Sequence, residues 1–167
     1  KLVRVAASKG LILVAASGNE QLQLIDYPGR YDEVISDAAM DKNGNLAGYS
    51  NIGQGLDFIA PGSDIYSTYL NNEYAQLSGT SMSSPFIAGI CALLLSYHRN
   101  GDPHETPIRN YQDMIGHIKG FEKGKLIDLG GGKGIGILDF SDANVDSITA
   151  CAISAQSVTN NWKQWKI

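Results

Sequence analysis

The residues best suited to chemistry lie in one short run, Gly79-Thr80-Ser81-Met82-Ser83-Ser84-Pro85. The segment Met82 to Tyr97 that continues it is apolar nearly all round, which predicts a buried helix. Pro85 suits the start of a helix, where backbone N–H groups lack intrahelical partners, and Gly79 can take backbone angles closed to other residues. Ser81 is therefore expected at the positive end of a helix dipole, where a developing negative charge is stabilised. It is a candidate nucleophile for acyl transfer.

A simpler interpretation competes with this one. Thr80 and Ser81 are good helix N-cap residues, and a Gly-Thr-Ser run before an apolar helix is more often a cap than a catalyst. Asn19 is a second candidate, because it follows an apolar strand at the end where ligands bind in open α/β sheets. Taken alone, Asn19 is better explained as a turn residue.

The elements that must position these residues indicate an α/β fold. A partial helix, Lys1 to Ala7, is followed by the unbroken apolar run 11–16, which is typical of a buried parallel strand. Further strands are predicted at 34–40 and 58–60, and a hairpin over 65–77 should turn at Asn71 and Asn72. Asp37 is the odd member of the second strand, since a carboxylate in mid-strand needs a partner or an opening to water.

The rest of the chain adds weaker elements. Thr106 should cap, and Pro107 should open, a helix with Ile108, Tyr111, Ile115 and Ile118 on one face. The run 130–136 is glycine-rich, but Lys133 is followed by Gly and an apolar strand, 135–140, so we expect a loop rather than a phosphate site. A short helix should start at Ser141. We divide the chain into a main domain, 1–146, and a C-terminal extension, 147–167.

Composition limits the function classes. The 167 residues are 43% apolar and carry a net charge of −4, with no basic cluster interleaved with aromatics, so nucleic acid is not an expected partner. No apolar run reaches membrane-spanning length. Cys91 and Cys151 make no disulfide framework and are expected to be free thiols. The chain starts without Met or a signal-peptide pattern, so we expect an N-terminally cut chain, and secreted and intracellular locations both stay open.

Several motifs in the same order resemble the subtilisin family of serine endopeptidases. They are Ala15-Ala16-Ser17-Gly18-Asn19-Glu20, Tyr27-Pro28-Gly29, Val34-Ile35, Tyr49-Ser50-Asn51, Asp57-Phe58-Ile59-Ala60-Pro61-Gly62, Ser67-Thr68, the Ser81 run and Gly134-Ile135-Gly136-Ile137-Leu138-Asp139. The resemblance implies a three-layer α/β fold with a mostly parallel sheet and a buried helix bearing the nucleophile, here lacking its N-terminal half.

The resemblance also assigns catalytic roles. It makes Ser81 the nucleophile, and it makes the Asn19 side chain and the Ser81 backbone N–H the two donors of the oxyanion hole. A serine needs a histidine base oriented by an aspartate, and in this family both precede the serine. His98, His104 and His117 all follow Ser81, so the Asp and His are expected on an N-terminal segment outside this chain.

Finer roles follow from the same resemblance. Asp26 falls where the family places the floor of the primary specificity pocket, and a carboxylate there would favour Arg or Lys before the scissile bond. The walls would be Ala16, Ser17 and Gly18, and Gly79 is grouped with them as a substrate-binding residue. An exposed loop residue with no role in specificity is the alternative for Asp26. Asp57 resembles the carboxylate of a weak calcium or sodium site otherwise built from carbonyls near Gly29, Tyr31 and Val34. No cofactor is expected for the chemistry.

The leading hypothesis is therefore the C-terminal part of a subtilisin-like serine endopeptidase. Its expected partners are the N-terminal half of the same protease, a protein or peptide substrate, and a pro-peptide or protein inhibitor. The alternative is a catalytically silent subtilisin-like binding module. An esterase-like hydrolase is a third, weaker option, because an α/β-hydrolase elbow needs Gly where Ser83 stands.

Overall fold

The computed structural model describes residues 1–100, 107–119, 127–128 and 134–135. The helices are α1 (Leu2–Ser8), α2 (Thr80–Asn100) and α3 (Tyr111–Lys119), with one 3₁₀ turn at Leu70–Asn72. The strands are β1 (Leu13–Ala16), β2 (Val34–Met40), β3 (Phe58–Pro61), β4 (Ile65–Thr68), β5 (Tyr74–Leu77), β6 (Ile127–Asp128) and β7 (Gly134–Ile135).

The centre of the fold is a parallel sheet of three strands in the order β1-β2-β3. Every residue of β2 is buried, as expected for a central strand covered on both faces. Asp37 lies beside Ala16 of β1 and Phe58 of β3 in the register of the sheet. The α/β class, the parallel sheet and the predicted second strand are confirmed. β1 is shorter than predicted, because residues 11 and 12 precede its first paired residue.

Side chains alternate between two packed layers on the faces of this sheet. On one face, Ile35 and Phe58 pack with α2 and α3 in a cluster that includes Ile87, Met114 and Ile118. The opposite face carries a second cluster drawn from the sheet and from the loops that connect its strands: Ile25, Ala38, Met40, Leu56 and Ile59. Asp37 has the same parity in β2 as Ile35, so its side chain faces α2.

Helix α2 differs from the predicted helix in burial. Ile87, Ile90, Cys91 and Leu94 are buried, but Ala88, Gly89 and Ala92 on the other side are exposed. The prediction of burial all round is therefore wrong for the described residues. The residues that lie against α2 in the described structure, from the sheet and from α3, cover only one of its sides.

The start of α2 also differs from the prediction. The helix begins at Thr80, so Pro85 is its sixth residue and not part of the first, unbonded turn. Pro85 has no N–H to donate to the carbonyl four residues earlier, which belongs to Ser81. The backbone ladder is interrupted immediately after the candidate nucleophile, and side-chain hydroxyls contribute hydrogen bonds to this first turn.

The hairpin is confirmed, and its turn explains the sequence. β4 and β5 pair antiparallel, and Asn71 and Asn72 both take φ near +59°, a left-handed conformation that Asn tolerates. The predicted start of the next helix is wrong. α3 begins at Tyr111, because the side chain of Asn110 accepts the N–H of Asp113 and so acts as its N-cap.

Some predictions fall outside the described residues. They concern Thr106, the loop at 130–133, most of the strand 135–140, the helix starting at Ser141 and the extension 147–167, so the boundary at 146 stays a prediction. β6 and β7 pair antiparallel at the beginning of that predicted strand. Among the described residues, no helix has the length and apolar character needed to cross a membrane.

Candidate active site

The end of β1 and the start of α2 meet through Asn19 and Thr80. Asn19 Oδ1 accepts the backbone N–H of Thr80 at 2.8 Å and the Thr80 hydroxyl at 3.0 Å. The Thr80 Oγ1 in turn accepts the N–H of Gly18 at 3.2 Å. Because both bonds to Asn19 end on its oxygen, the Nδ2 group is the side of Asn19 that can donate to a ligand.

Ser81 follows directly in the first turn of α2, and both Ser81 and Asn19 are exposed. Gly79 lies against the same amide, since a Cβ there would be 3.5 Å from Asn19 Nδ2. The structure thus brings together three predicted site residues from two distant stretches of sequence. The arrangement offers a hydroxyl, an amide donor and a helix N-terminus at one exposed place. The catalytic roles of Ser81 and Asn19 stay predictions.

Beneath this place, Asp37 is fully buried and interacts with two serines of the first turn of α2. Ser83 Oγ donates to Asp37 Oδ1, and Ser84 Oγ donates to Asp37 Oδ2 at 2.8 Å. Burial raises the pKa of Asp37 to about 7, although the two serine hydrogen bonds act in the opposite direction. The carboxylate that was odd in the sequence therefore finds hydroxyl partners, which the sequence analysis had not identified.

The predicted pocket residues also converge. The N–H of Asp26 donates to the carbonyl of Ser17 at 2.9 Å, and a Cβ on Gly18 would collide with the Asp26 carboxylate. Gly18 has φ near +109°, which only glycine adopts readily, so its place beside Asp26 requires glycine on two counts. Ala16 is the last residue of β1, and Ser17 lies between it and Gly18. Ser17 is fully buried.

Two further residues join this pocket that the sequence analysis had not assigned to a site. Glu20 Oε2 accepts the Asn19 N–H and the Asn51 side-chain amide, each at 2.8 Å. Asn51 Oδ1 accepts the N–H groups of Glu20 at 3.0 Å and Leu22 at 2.9 Å, so this buried amide shapes the loop. Glu20 and Asn51 both lie within the quoted motifs, but their contact with each other was not visible there because 31 residues separate them.

The residues of the predicted cation site are only partly connected. Asp57 Oδ2 accepts the N–H of Ser36 at 2.9 Å, and Oδ1 accepts the Tyr111 hydroxyl at 3.0 Å. Burial, followed by the charge of Asp57, raises the pKa of Tyr111 above its usual range. The Tyr31 carbonyl accepts the Val34 N–H at 3.0 Å. No cluster of three His, Cys, Asp or Glu suited to a metal occurs among the described residues.

Of the three histidines, the structure describes the side chain of His117 alone. His117 lies in α3, and the side chains of His98 and His104 are outside the described residues. Cys91 is a buried free thiol whose pKa burial raises to about 12, so it is a packing residue.

A comparison with known protein families identifies the family of this chain. The profile described as "Subtilase family" matches residues 1–124. The chain belongs to the subtilase family. Subtilases are serine proteases and need no cofactor for their chemistry.

The relatives that this chain resembles include a subtilisin and a thermitase. Subtilisin Savinase of Lederbergia lenta is 43% identical over 109 residues, which is 65% of this chain and 40% of the relative. Thermitase of Thermoactinomyces vulgaris is 42% identical over 113 residues, which is 68% of this chain and 40% of the relative. The chain therefore spans less than half the length of these two relatives.

Solved structures show the same fold. The prenylagaramide maturation protease PagA is 27% identical with a TM-score of 0.57, covering 69% of this chain and 53% of that one. The self-cleaved protease domain of PatA is 28% identical with a TM-score of 0.63, covering 72% of this chain and 45% of that one. Both are subtilisin-like domains, so the predicted fold family is confirmed.

The titration of Asp37 should affect stability with a defined sign. Because its pKa in the folded protein, about 7, exceeds its ordinary value of 3.8, the folded state holds a proton that the unfolded state releases. The free energy of unfolding should therefore fall as pH rises from about 4 to about 7, by on the order of 4 kcal/mol at most. Asp37→Asn should remove this decrease, as measured by chemical unfolding at a series of pH values.

The exposed carboxylate Asp64 provides the control, and Asp64→Asn should keep the wild-type pH dependence over this window. If wild-type protein and Asp37→Asn lose stability in parallel between pH 4 and 7, Asp37 is not the titrating group.

Proposed function

We propose that this chain is the C-terminal part of a serine endopeptidase that cleaves peptide bonds through an acyl-enzyme on Ser81. The observation that carries the proposal is the pair of hydrogen bonds from Thr80 to Asn19 Oδ1, which fix an amide donor beside the candidate nucleophile. Membership of the subtilase family supports it. The triad Asp and His come from an N-terminal segment that is not in this chain.

The proposed chemistry uses Ser81 twice. Ser81 Oγ attacks the scissile carbonyl carbon while its proton passes to the histidine, and a tetrahedral intermediate forms. When the C–N bond breaks, the histidine returns the proton to the leaving amine and the acyl-enzyme remains. Water then attacks the ester, gives a proton to the histidine, and the serine leaves with that proton.

Asn19 acts on the charge of the intermediate. The former carbonyl oxygen becomes negative, and Nδ2 of Asn19 together with the Ser81 N–H would donate to it. Oδ1 is already held by Thr80, so the amide needs little reorganisation when the charge appears. The partners of the enzyme would be its N-terminal half, a protein or peptide substrate, and a pro-peptide or protein inhibitor.

The alternative function is a catalytically silent binding module with the same fold. It would need a site that has lost a catalytic partner, yet Ser81 and Asn19 are both present and adjacent in the fold. A reactive-serine probe separates the two functions, because a fluorophosphonate reacts only with an activated hydroxyl.

The first prediction for this function concerns Ser81 and Asn19 in the protein that contains both this chain and its N-terminal segment. Wild type should be labelled by a fluorophosphonate and should hydrolyse peptides, and Ser81→Ala should abolish both. Asn19→Ala should lower kcat by about 10²–10³, the range measured for an oxyanion-hole asparagine of a subtilisin and not a value derived from this structure.

The controls are Ser8→Ala and Asn43→Ala, which change exposed residues of the same types away from the site. Neither should alter labelling or kcat. An unlabelled wild-type protein would favour the silent binding module.

We further propose a preference for Arg or Lys before the scissile bond. The support is negative charge in one place: the carboxylates of Asp26 and Glu20 both lie beside Gly18. Among the described residues, the ion pairs are Arg4–Glu33 and Arg109–Asp113, and neither uses these carboxylates. The nearby Arg30 is held elsewhere, since its Nε donates to the Ile25 carbonyl and its guanidinium lies over the Tyr27 ring.

The specificity proposal predicts the effect of Asp26→Asn. The ratio of kcat/KM for Arg over Leu before the cleaved bond should fall roughly 10-fold or more, because a hydrogen bond to a charged group contributes about 1.5–3 kcal/mol. Asp26→Gly should lower the ratio by as much, and Asp64→Asn should leave it unchanged. A panel of peptide substrates measures this ratio. If wild type and Asp26→Asn give the same ratio, Asp26 does not determine the preference before the cleaved bond.

We also propose a weak cation site at Asp57 with carbonyls near Gly29, Tyr31 and Val34. The donor class fits calcium or sodium, since all are hard oxygens. The fit is partial, because Ser36 and Tyr111 already donate to the carboxylate and the Tyr31 carbonyl accepts a backbone N–H. A bound cation would have to use the remaining lone pairs of these oxygens.

The cation proposal predicts a calcium-dependent rise in Tm, because a ligand that binds only the folded state stabilises it. Asp57→Asn should abolish the rise, and Asp64→Asn should keep it. Thermal unfolding with calcium and with a chelator measures the effect, and identical Tm values in the two conditions would remove the site from consideration.

A further inference from the structure

A buried carboxyl lies directly under the turn that carries Ser81. Asp37 is 0% exposed in the central strand of the sheet, and its neighbours across the strands are Ala16 and Phe58. The groups of α2 that contact Asp37 are the hydroxyls of Ser83 and Ser84. Among the described residues, no second titratable group faces the Asp37 carboxyl. A carboxyl in such a place is costly unless hydrogen bonds hold it, and here both oxygens are bonded.

The two serines connect Asp37 to the backbone of the first turn. Ser83 Oγ lies 2.8 Å from the Thr80 carbonyl oxygen, and Ser84 Oγ lies 3.3 Å from the same atom. Each hydroxyl has one proton and can also accept. When the carboxyl is neutral, it can donate to Ser83, which donates to Thr80, while Ser84 donates to the second carboxyl oxygen. Every member of this network then has a partner.

The Thr80 carbonyl is not an arbitrary acceptor. It belongs to the planar peptide group that joins Thr80 to Ser81, so fixing this carbonyl also fixes the direction of the Ser81 N–H. The other end of Thr80 holds Asn19 through the N–H and the hydroxyl. Both proposed oxyanion donors are therefore attached to residue 80. Pro85 has no N–H to donate to the Ser81 carbonyl, so the start of α2 has one backbone hydrogen bond fewer than a regular helix.

We propose that Asp37 is a positioning residue of the oxyanion hole, which orients the Thr80–Ser81 peptide through the hydroxyls of Ser83 and Ser84. The inference rests on the proposed peptidase function and adds a residue that does not touch the substrate. Asp37 acts on the Ser81 N–H, so its loss should weaken stabilisation of the transition state more than substrate binding.

The experiment uses the protein with its N-terminal segment and compares Asp37→Leu, Asp37→Asn and Ser83→Ala. Asp37→Leu should lower kcat by about 10- to 100-fold with KM within about twofold, because small displacements of a catalytic donor are costly. Asp37→Asn should retain most of the activity, since an amide can donate to Ser83 and accept from Ser84. Ser50→Ala is the matched control, because it removes a buried hydroxyl bonded to Ala39 in the same strand.

A second readout separates positioning from general destabilisation. A peptide boronic acid forms a tetrahedral adduct with the serine and places one oxygen in the oxyanion hole, whereas the amine product, the fragment with the new amino terminus, brings no oxygen to that position. Asp37→Leu and Ser83→Ala should weaken the boronic acid in proportion to the loss of kcat/KM and leave product affinity unchanged. If Asp37→Leu does not fold, Asp37→Asn and Ser83→Ala still give both measurements.

The outcomes are distinct. An active wild type in which Asp37→Leu, or Ser83→Ala, keeps full kcat and boronic acid affinity overturns the Asp37 inference and leaves the proposed function standing. Equal losses for boronic acid and product also overturn it, because they indicate a structural role. A wild type that neither hydrolyses peptides nor reacts with a fluorophosphonate overturns the proposed function, and the inference with it.

Discussion

The contact on which the candidate site depends is the one between Asn19 and Thr80. Two hydrogen bonds join residues 61 positions apart, and each contributes only about 1 kcal/mol to stability. Their structural consequence is larger, because they fix which atoms of Asn19 face outward. If Thr80 did not occupy Oδ1, the amide could turn and present its oxygen, and an acceptor in that position would repel a developing oxyanion. The orientation of one side chain therefore separates a site that stabilises negative charge from one that does not.

The parallel sheet makes this contact possible. In a parallel arrangement, strand ends and the starts of the following helices gather at one edge, so Asn19 after β1 and Thr80 at the start of α2 come together although most of the described chain lies between them. β2 lies between β1 and β3, and its buried Asp37 reaches the same turn from below. Exposed polar groups above and a buried polar network below thus enclose the Thr80–Ser81 peptide.

The sequence predicted the local elements well and the long-range partners less well. Val34 to Met40 was recognisable as a buried strand, and Asn71 and Asn72 as a turn, because apolar runs and left-handed Asn residues act over a few residues. Periodicity does not tell what covers a helix, so the exposure of Ala88 and Ala92 was missed. It also gave no partner for Asp37, because Ser83 lies 46 residues away and a hydroxyl in an apolar helix resembles ordinary capping chemistry. The end of an apolar strand singled out Asn19, and the resemblance of motifs supplied its predicted role. The contact between Glu20 and Asn51 could be identified only from the coordinates.

The places where the chain departs from ordinary local preferences also bear on the choice between an enzyme and a silent binding module. Asp37 is a carboxyl in an otherwise apolar strand, Gly18 holds a positive φ, and Pro85 interrupts a helix. A buried carboxyl and a proline inside a helix are each unfavourable for stability, and the Gly18 conformation excludes most other residue types. All three lie around the Thr80–Ser81 peptide and the adjoining pocket. Chains that need only to fold have no reason to gather such features in one place, whereas catalytic sites characteristically do. A binding module that used this fold elsewhere on its surface would be expected to relax them, so their concentration here favours the peptidase.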